Sequence, residues 1–214
     1  MTEIWPVIHL SDDRRTIINA RIAAACGCPG VFLIAMDGDD EKIDPAAALI
    51  RREFPALKIG INQLSKLPLS SVWESLDRGY DATWSDYSWQ PADDIHRLLT
   101  RRVTGHKFFA AVAFKGPTYR ERDPEASARE AVARGFIPMT SGHGTGVTAP
   151  FEKIERLRQA IGPGAPLAMS GVNPPTADRL APLVTHMLVA TCISKDFYEF
   201  DEMKLSYLSR RVSS

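Results

Sequence analysis

His9, Asp37, Asn62, Asp86 and Lys115 each stand just past a short apolar run, and so do segments 141–146, 170–171 and 191–194. Their side chains suit proton transfer and anion binding. Histidine titrates near neutrality, aspartate accepts a proton, and a lysine amine pairs with an anion, moves a proton or forms an imine. His9, Asp37, Lys115 and His143 are therefore the candidate acid/base groups. Asn62, Asp86, Ser141, Gly142 and Thr145 are candidate substrate contacts. Ser170, Gly171, Val172, Thr191 and Ser194 combine hydroxyls with a glycine backbone that an anion can approach closely, and they are the candidate phosphate site.

The elements that must position these residues alternate without a lapse. Strand patterns cover 4–10, 31–36, 57–62, 82–85, 108–114, 136–140, 167–170 and 187–191. Helical patterns cover 12–25, 45–54, 70–78, 92–103, 124–134, 150–161 and 174–182, with a last one from about 201. Phe151, Ile154, Leu157 and Ile161 make one apolar helical stripe, with Glu152, Lys153, Glu155 and Arg156 outside it. Asp44-Pro45 and Asp123-Pro124 read as N-cap and first helical residue, and Gly135 and Gly162 as helix stops. Eight βα units predict a (β/α)8 TIM barrel, eight parallel strands with outer helices and short loops, forming one domain over 1–214. In such barrels the active site lies where strands end and βα loops begin, and phosphate is commonly held after strands seven and eight. Cys26-Gly-Cys28, His106, Gly135 and His186 fall on the opposite rim, where a structural role is expected.

Composition narrows the partners. The 214 residues carry 26 basic and 26 acidic side chains, with no basic run interleaved with aromatics, so no nucleic-acid partner is expected. No apolar run has the length of a membrane span, which excludes membrane insertion. Three cysteines fit a reducing cytoplasm better than a disulfide scaffold. Cys26-Gly-Cys28 lacks the spacing of a metal site. Asp37-Gly-Asp-Asp-Glu41 could supply oxygen ligands to Mg2+, but without a placed partner no metal site is assigned; Asp39, Asp40 and Glu41 read as solvated loop charges. The aromatic segment 84–89 could stack on a base or sugar, or lid the barrel. Apolar outer helix faces would favour a homo-oligomer.

Val7-Ile-His-Leu10, Gly60-Ile-Asn-Gln-Leu64, Phe114-Lys115, Thr140-Ser-Gly-His-Gly-Thr-Gly146, Ser170-Gly-Val172 and the segment from Ala190-Thr191 to Ser194-Lys195 together resemble, in order, phrases of the BtpA family, named for a member involved in photosystem I biogenesis. The resemblance implies a barrel with a phosphate site, in a family of poorly defined chemistry. The chain departs from it at Ser11-Asp-Asp, where Pro-Pro-Leu-Pro-Gly is expected, and at Gly116, where His is expected; it is also shorter.

The expectation is an enzyme working by acid/base chemistry, of isomerase, epimerase or lyase type, on a small phosphorylated metabolite. Two alternatives stand beside it. One is a non-catalytic BtpA-like protein of assembly or regulation. The other is a phosphoribosyltransferase, such as one acting on adenine, for which Asp39-Asp40 offers the paired acids but Ile43-Asp-Pro-Ala follows where Thr-Gly is needed.

Overall fold

Pairing runs in sequence order and then closes. In a computed structural model describing residues 1–87, 89, 92–101, 105–115 and 123–213, the strands are β1 (Glu3–His9), β2 (Gly30–Ile34), β3 (Lys58–Asn62), β4 (Ala82–Ser85), β5 (Lys107–Ala111), β6 (Ile137–Thr140), β7 (Ala168–Ser170) and β8 (His186–Val189). All neighbours are parallel, and β8 pairs with β1 through Trp5 and Leu188, giving a closed eight-stranded barrel. The helices are α1 (Asp13–Ala25), α2 (Ile43–Glu53), α3 (Pro68–Asp77), α4 (Ala92–Arg101), α5 (Pro124–Ala133), α6 (Phe151–Ile161), α7 (Ala177–Leu180) and α8 (Glu202–Ser213). This is the (β/α)8 fold the alternation predicts. No helix among the described residues is long and apolar enough to cross a membrane.

Alternate strand residues fill the barrel and the others meet the helices. Trp5, Phe32, Phe109 and Trp84 occupy the interior, with ring centroids 5.5 Å apart for Trp5–Phe32, 5.3 Å for Phe32–Phe109 and 6.0 Å for Phe32–Trp84. Room for them comes from glycines: a Cβ on Gly60 would stand 2.5 Å from the Phe32 ring, and one on Gly30 2.6 Å from Trp5. Ile8, Leu33, Ile59 and Ile61 point the other way, into the layer under α1, α2 and α8.

Several boundaries move for local reasons. β5 stops at Ala111, short of the predicted 114, because Ala113 turns to φ 46° and takes the chain off the sheet. α2 starts one residue before Asp44, after a 3-10 turn over Asp40–Lys42, so Asp44 is not its N-cap. The Asp44 carboxylate instead receives the Tyr80 hydroxyl and pairs with Arg78 at 2.7 Å. Asp123 does cap α5, accepting from the Ala126 N–H at 2.8 Å. The predicted helix 174–182 breaks into a 3-10 turn, one α turn and another 3-10 turn; Pro175 and Pro182 each remove a backbone donor. Residues 102–103 of the predicted fourth helix, and Gly116, lie outside the described residues.

Candidate active site

The strand ends surround a cavity of about 210 Å3 at the C-terminal mouth of the barrel. Val7, Ile34, Trp84 and Leu188, interior residues at or within two positions of their strand ends, line it from the barrel side. His9, Asp86 and Lys115 contribute ionisable groups, while Thr145, Gly146, Ser170, Gly171, Val172 and Thr191 bring in the loops after β6, β7 and β8.

His9 ends β1, and its Nδ1 lies 2.9 Å from the Phe197 carbonyl. A carbonyl only accepts, so the proton of the neutral ring sits on Nδ1 and Nε2 keeps its lone pair. Burial holds the imidazole below its ordinary value; the Phe197 bond opposes this and the Lys115 charge reinforces it. His9 is therefore a neutral proton acceptor at pH 7. Asp86 follows β4, and its Oδ1 accepts from Asn62 Nδ2 at 3.3 Å. Burial raises the carboxyl above the usual range, against the Lys115 charge and the Asn62 bond. Asn62 is itself buried, so it orients Asp86 from below.

Lys115 stands four residues past β5, held by its backbone. Its N–H donates to Ser141 Oγ at 3.0 Å, and that hydroxyl donates in turn to the Gly142 carbonyl at 2.9 Å. Its ammonium lies 5.6 Å from the centroid of the Phe114 ring, and among the described residues it forms no ion pair. Behind this loop, Lys153 on α6 donates to the carbonyls of Ala113 at 2.5 Å and Ser141 at 2.7 Å. Its sequence position on the solvent side of α6 hides this role: a four-carbon stem lets an outward residue reach back under the rim.

The glycine-rich loop after β6 forms a wall packed on its neighbours. The Gly142 N–H donates to the Val147 carbonyl at 3.1 Å. Gly171, at φ 72°, lies so close to that same carbonyl that a Cβ would stand 2.1 Å from it. At Gly146, φ 73°, a Cβ would stand 3.3 Å from Thr191 Oγ1. The loops after β6, β7 and β8 thus form one packed unit along one side of the cavity.

Some sequence candidates are placed elsewhere. The Asp37 carboxylate is exposed and paired with Lys42, outside the cavity lining. His143 is exposed and also outside the lining. Ser141 and Gly142 are buried and shape the loop rather than line the cavity. Ser194 opens onto an adjacent lobe, and its Oγ donates to the Ala190 carbonyl at 2.8 Å. Asp40, read as a solvated charge, is buried and accepts from the backbone and hydroxyl of Ser65, tying the loops after β2 and β3 together. The aromatic segment divides: Trp84 lies in the barrel, Tyr87 bonds the Leu64 carbonyl at the rim, and Trp89 is buried outside the barrel, donating to the Ala111 carbonyl. Leu64, Gly144 and Cys192 also line the cavity, the last two from the segments 141–146 and 191–194. Among the described residues no three His, Cys, Asp or Glu side chains are grouped to hold a metal ion.

No family model matches the chain, and no curated protein matches its sequence. Solved structures do. A phosphoribosyl anthranilate isomerase from Thermus thermophilus superposes with TM-score 0.69 at 15% identity, covering 99% of this chain and 98% of that one. A 3-hexulose-6-phosphate synthase from Salmonella typhimurium gives TM-score 0.74 at 10% identity, covering 99% of both chains. A phosphoribosyl anthranilate isomerase from Thermotoga maritima gives 0.69 at 13%, covering 100% of both. At such identities the likeness shows the barrel fold.

Proposed function

We propose that this chain is a single-domain cytoplasmic enzyme that moves a proton on a small phosphorylated metabolite, a sugar or nucleoside phosphate, in an isomerase, epimerase or lyase type of reaction. The observation that carries this reading is one cavity that holds His9, Asp86 and Lys115 together with the packed loops containing Gly171 and Thr191. A cavity of about 210 Å3 suits a small substrate. Names of the similar structures, a phosphoribosyl anthranilate isomerase and a 3-hexulose-6-phosphate synthase, carry phosphorylated sugars and support the substrate class.

The phosphate would rest against the backbone of Gly171–Val172 and Thr191–Cys192, in the loops after β7 and β8. Asp86, a stronger base than a solvated carboxylate, would take a proton from the carbon beside a carbonyl. The Lys115 ammonium would face the oxygen on which charge develops, and His9 Nε2 would accept or return a proton at the neighbouring position. Asp86 thereby takes the role the sequence suggested for Asp37. The phrases shared with BtpA support a second reading, a barrel that binds the same ligand without turning it over. The phosphoribosyltransferase reading loses support, because Asp40 spends its carboxylate on Ser65 and Asp39 lies within ion-pair distance of Lys42.

Incubating the protein in D2O with a panel of phosphorylated aldoses, ketoses and nucleosides, followed by NMR, tests both readings. Enzyme chemistry predicts deuterium entering one substrate carbon, abolished in Asp86→Asn and Lys115→Ala and retained in Asp37→Asn. Binding of a panel member without exchange would favour the BtpA-like reading.

A further inference from the structure

A second lobe of about 260 Å3 adjoins the cavity, lined by His9, Thr191, Ser194, Lys195, Asp196 and Phe197. His9 and Thr191 belong to both spaces, so a ligand held at one can extend into the other. Most polar groups of the lobe are already engaged. Lys195 Nζ bonds Glu199 at 2.9 Å, Asp196 Oδ1 accepts from the N–H groups of Tyr198 at 2.7 Å and Glu199 at 2.9 Å, and Ser194 donates to Ala190. Beside them stands the Phe197 ring, 50% exposed, with its centroid 4.3 Å from that of His9.

That exposure belongs to a tightly fastened loop. The Phe197 carbonyl holds His9, Asn19 bonds both the Tyr198 carbonyl at 2.8 Å and the Phe200 N–H at 2.9 Å, and the Asp201 N–H reaches the Ile193 carbonyl at 2.7 Å. A half-exposed aromatic ring on a pinned loop beside a ligand cavity is a pre-organised apolar surface.

We infer that the substrate has two arms, a phosphate end in the mouth cavity and a flat aromatic arm that lies in the second lobe against Phe197; this rests on the phosphate-metabolite reading above. The lobe offers an aromatic face and few uncommitted polar groups, which favours a planar apolar arm over a second charged one.

Calorimetric titration with inorganic phosphate, glycerol 3-phosphate, phenyl phosphate and 1-naphthyl phosphate tests this. The aryl phosphates should bind about tenfold or more tightly than glycerol 3-phosphate, as burial of an aromatic face implies. Phe197→Ala should bring that ratio toward one, and Phe197→Tyr should retain it. If phosphate and glycerol 3-phosphate bind but the aryl compounds gain nothing, or the gain survives in Phe197→Ala, the aromatic arm is overturned and the phosphate reading stands. If none of the four binds, both fall together.

Discussion

Lys153 Nζ lies 2.5 Å from the carbonyl oxygen of Ala113, and Ala113 is the one non-glycine among the described residues with positive φ, at 46°. A left-handed alanine costs on the order of 1–3 kcal/mol unless its surroundings hold it. Here a charge-assisted bond from α6 does so, two residues before Lys115. The same ammonium binds the Ser141 carbonyl, and Ser141 Oγ receives the Lys115 N–H. The candidate lysine therefore owes its position to a second lysine on the neighbouring helix.

Replacing Lys153 by Met should remove that support. Hydrogen bonds to charged groups contribute about 1.5–3 kcal/mol, so chemical denaturation should show a loss of that order. Deuterium exchange into substrate should fall by more than stability alone explains, because Lys115 loses its fixed approach to the cavity.

Gly171→Ala should be severe. Its φ of 72° disfavours any side chain, and the new Cβ would meet the Val147 carbonyl at 2.1 Å. The expected loss is more than about 1 kcal/mol, with weakened phosphate binding as the loops after β6 and β7 separate. Gly135→Ala is the control: this left-handed stop of α5 has φ 75° but nothing lies within 4 Å of the added atom, so thermal denaturation should register only the smaller conformational cost.

The pH dependence has a definite sign. His9 is held below its ordinary 6.5 and works as a proton acceptor in its neutral form, whereas burial raises Asp86 above 3.8. Both groups lose function on acidification. The exchange rate should be level at neutral pH and fall along a limb below 6.5, with His9→Gln leaving only the part set by Asp86. A rate that declines from pH 8 to pH 7 would contradict the assignment of His9.

At the opposite end of the barrel, His186 packs beside Lys107, 3.0 Å from its Nε2, and Glu3 at 3.4 Å. Burial first, then the Lys107 charge, pushes its pKa down to about 4, against the attraction of Glu3. The unfolded chain binds a proton near 6.5 and the folded chain does not, so stability falls as pH drops from 6.5 toward 4, by on the order of 3 kcal/mol. Glu3, also held below its ordinary value, pushes the same way at lower pH. Denaturation midpoints between pH 7 and 4 should show the decline, and His186→Gln should flatten its upper part.

The barrel was legible because its cause is repetitive: each apolar run needs a parallel partner and each amphipathic helix must cover one. Strand ends then pointed to His9, Asp86, Lys115, Gly171 and Thr191, which the fold brings to one cavity. Asp37 was equally placed in sequence, but Lys42 five residues on captures its carboxylate. Asp40 looked solvated within an acidic run, yet Ser65 on the next unit buries it. Phe197 and Lys153 gave no local signal. Their roles arise from contacts 188 residues away to His9 and 40 residues away to Ala113, which no spacing rule records.

The central claim is that a phosphate sits between the loops after β7 and β8, with Asp86 and Lys115 facing the carbon end of its bearer. A crystal structure determined with ribose 5-phosphate tests it most directly. The account predicts the phosphate oxygens within hydrogen-bond distance of backbone N–H groups in 171–172 and 191–192, and the sugar carbons between Asp86 and Lys115. A phosphate bound elsewhere, or bound here with its carbons turned away from both side chains, would contradict it.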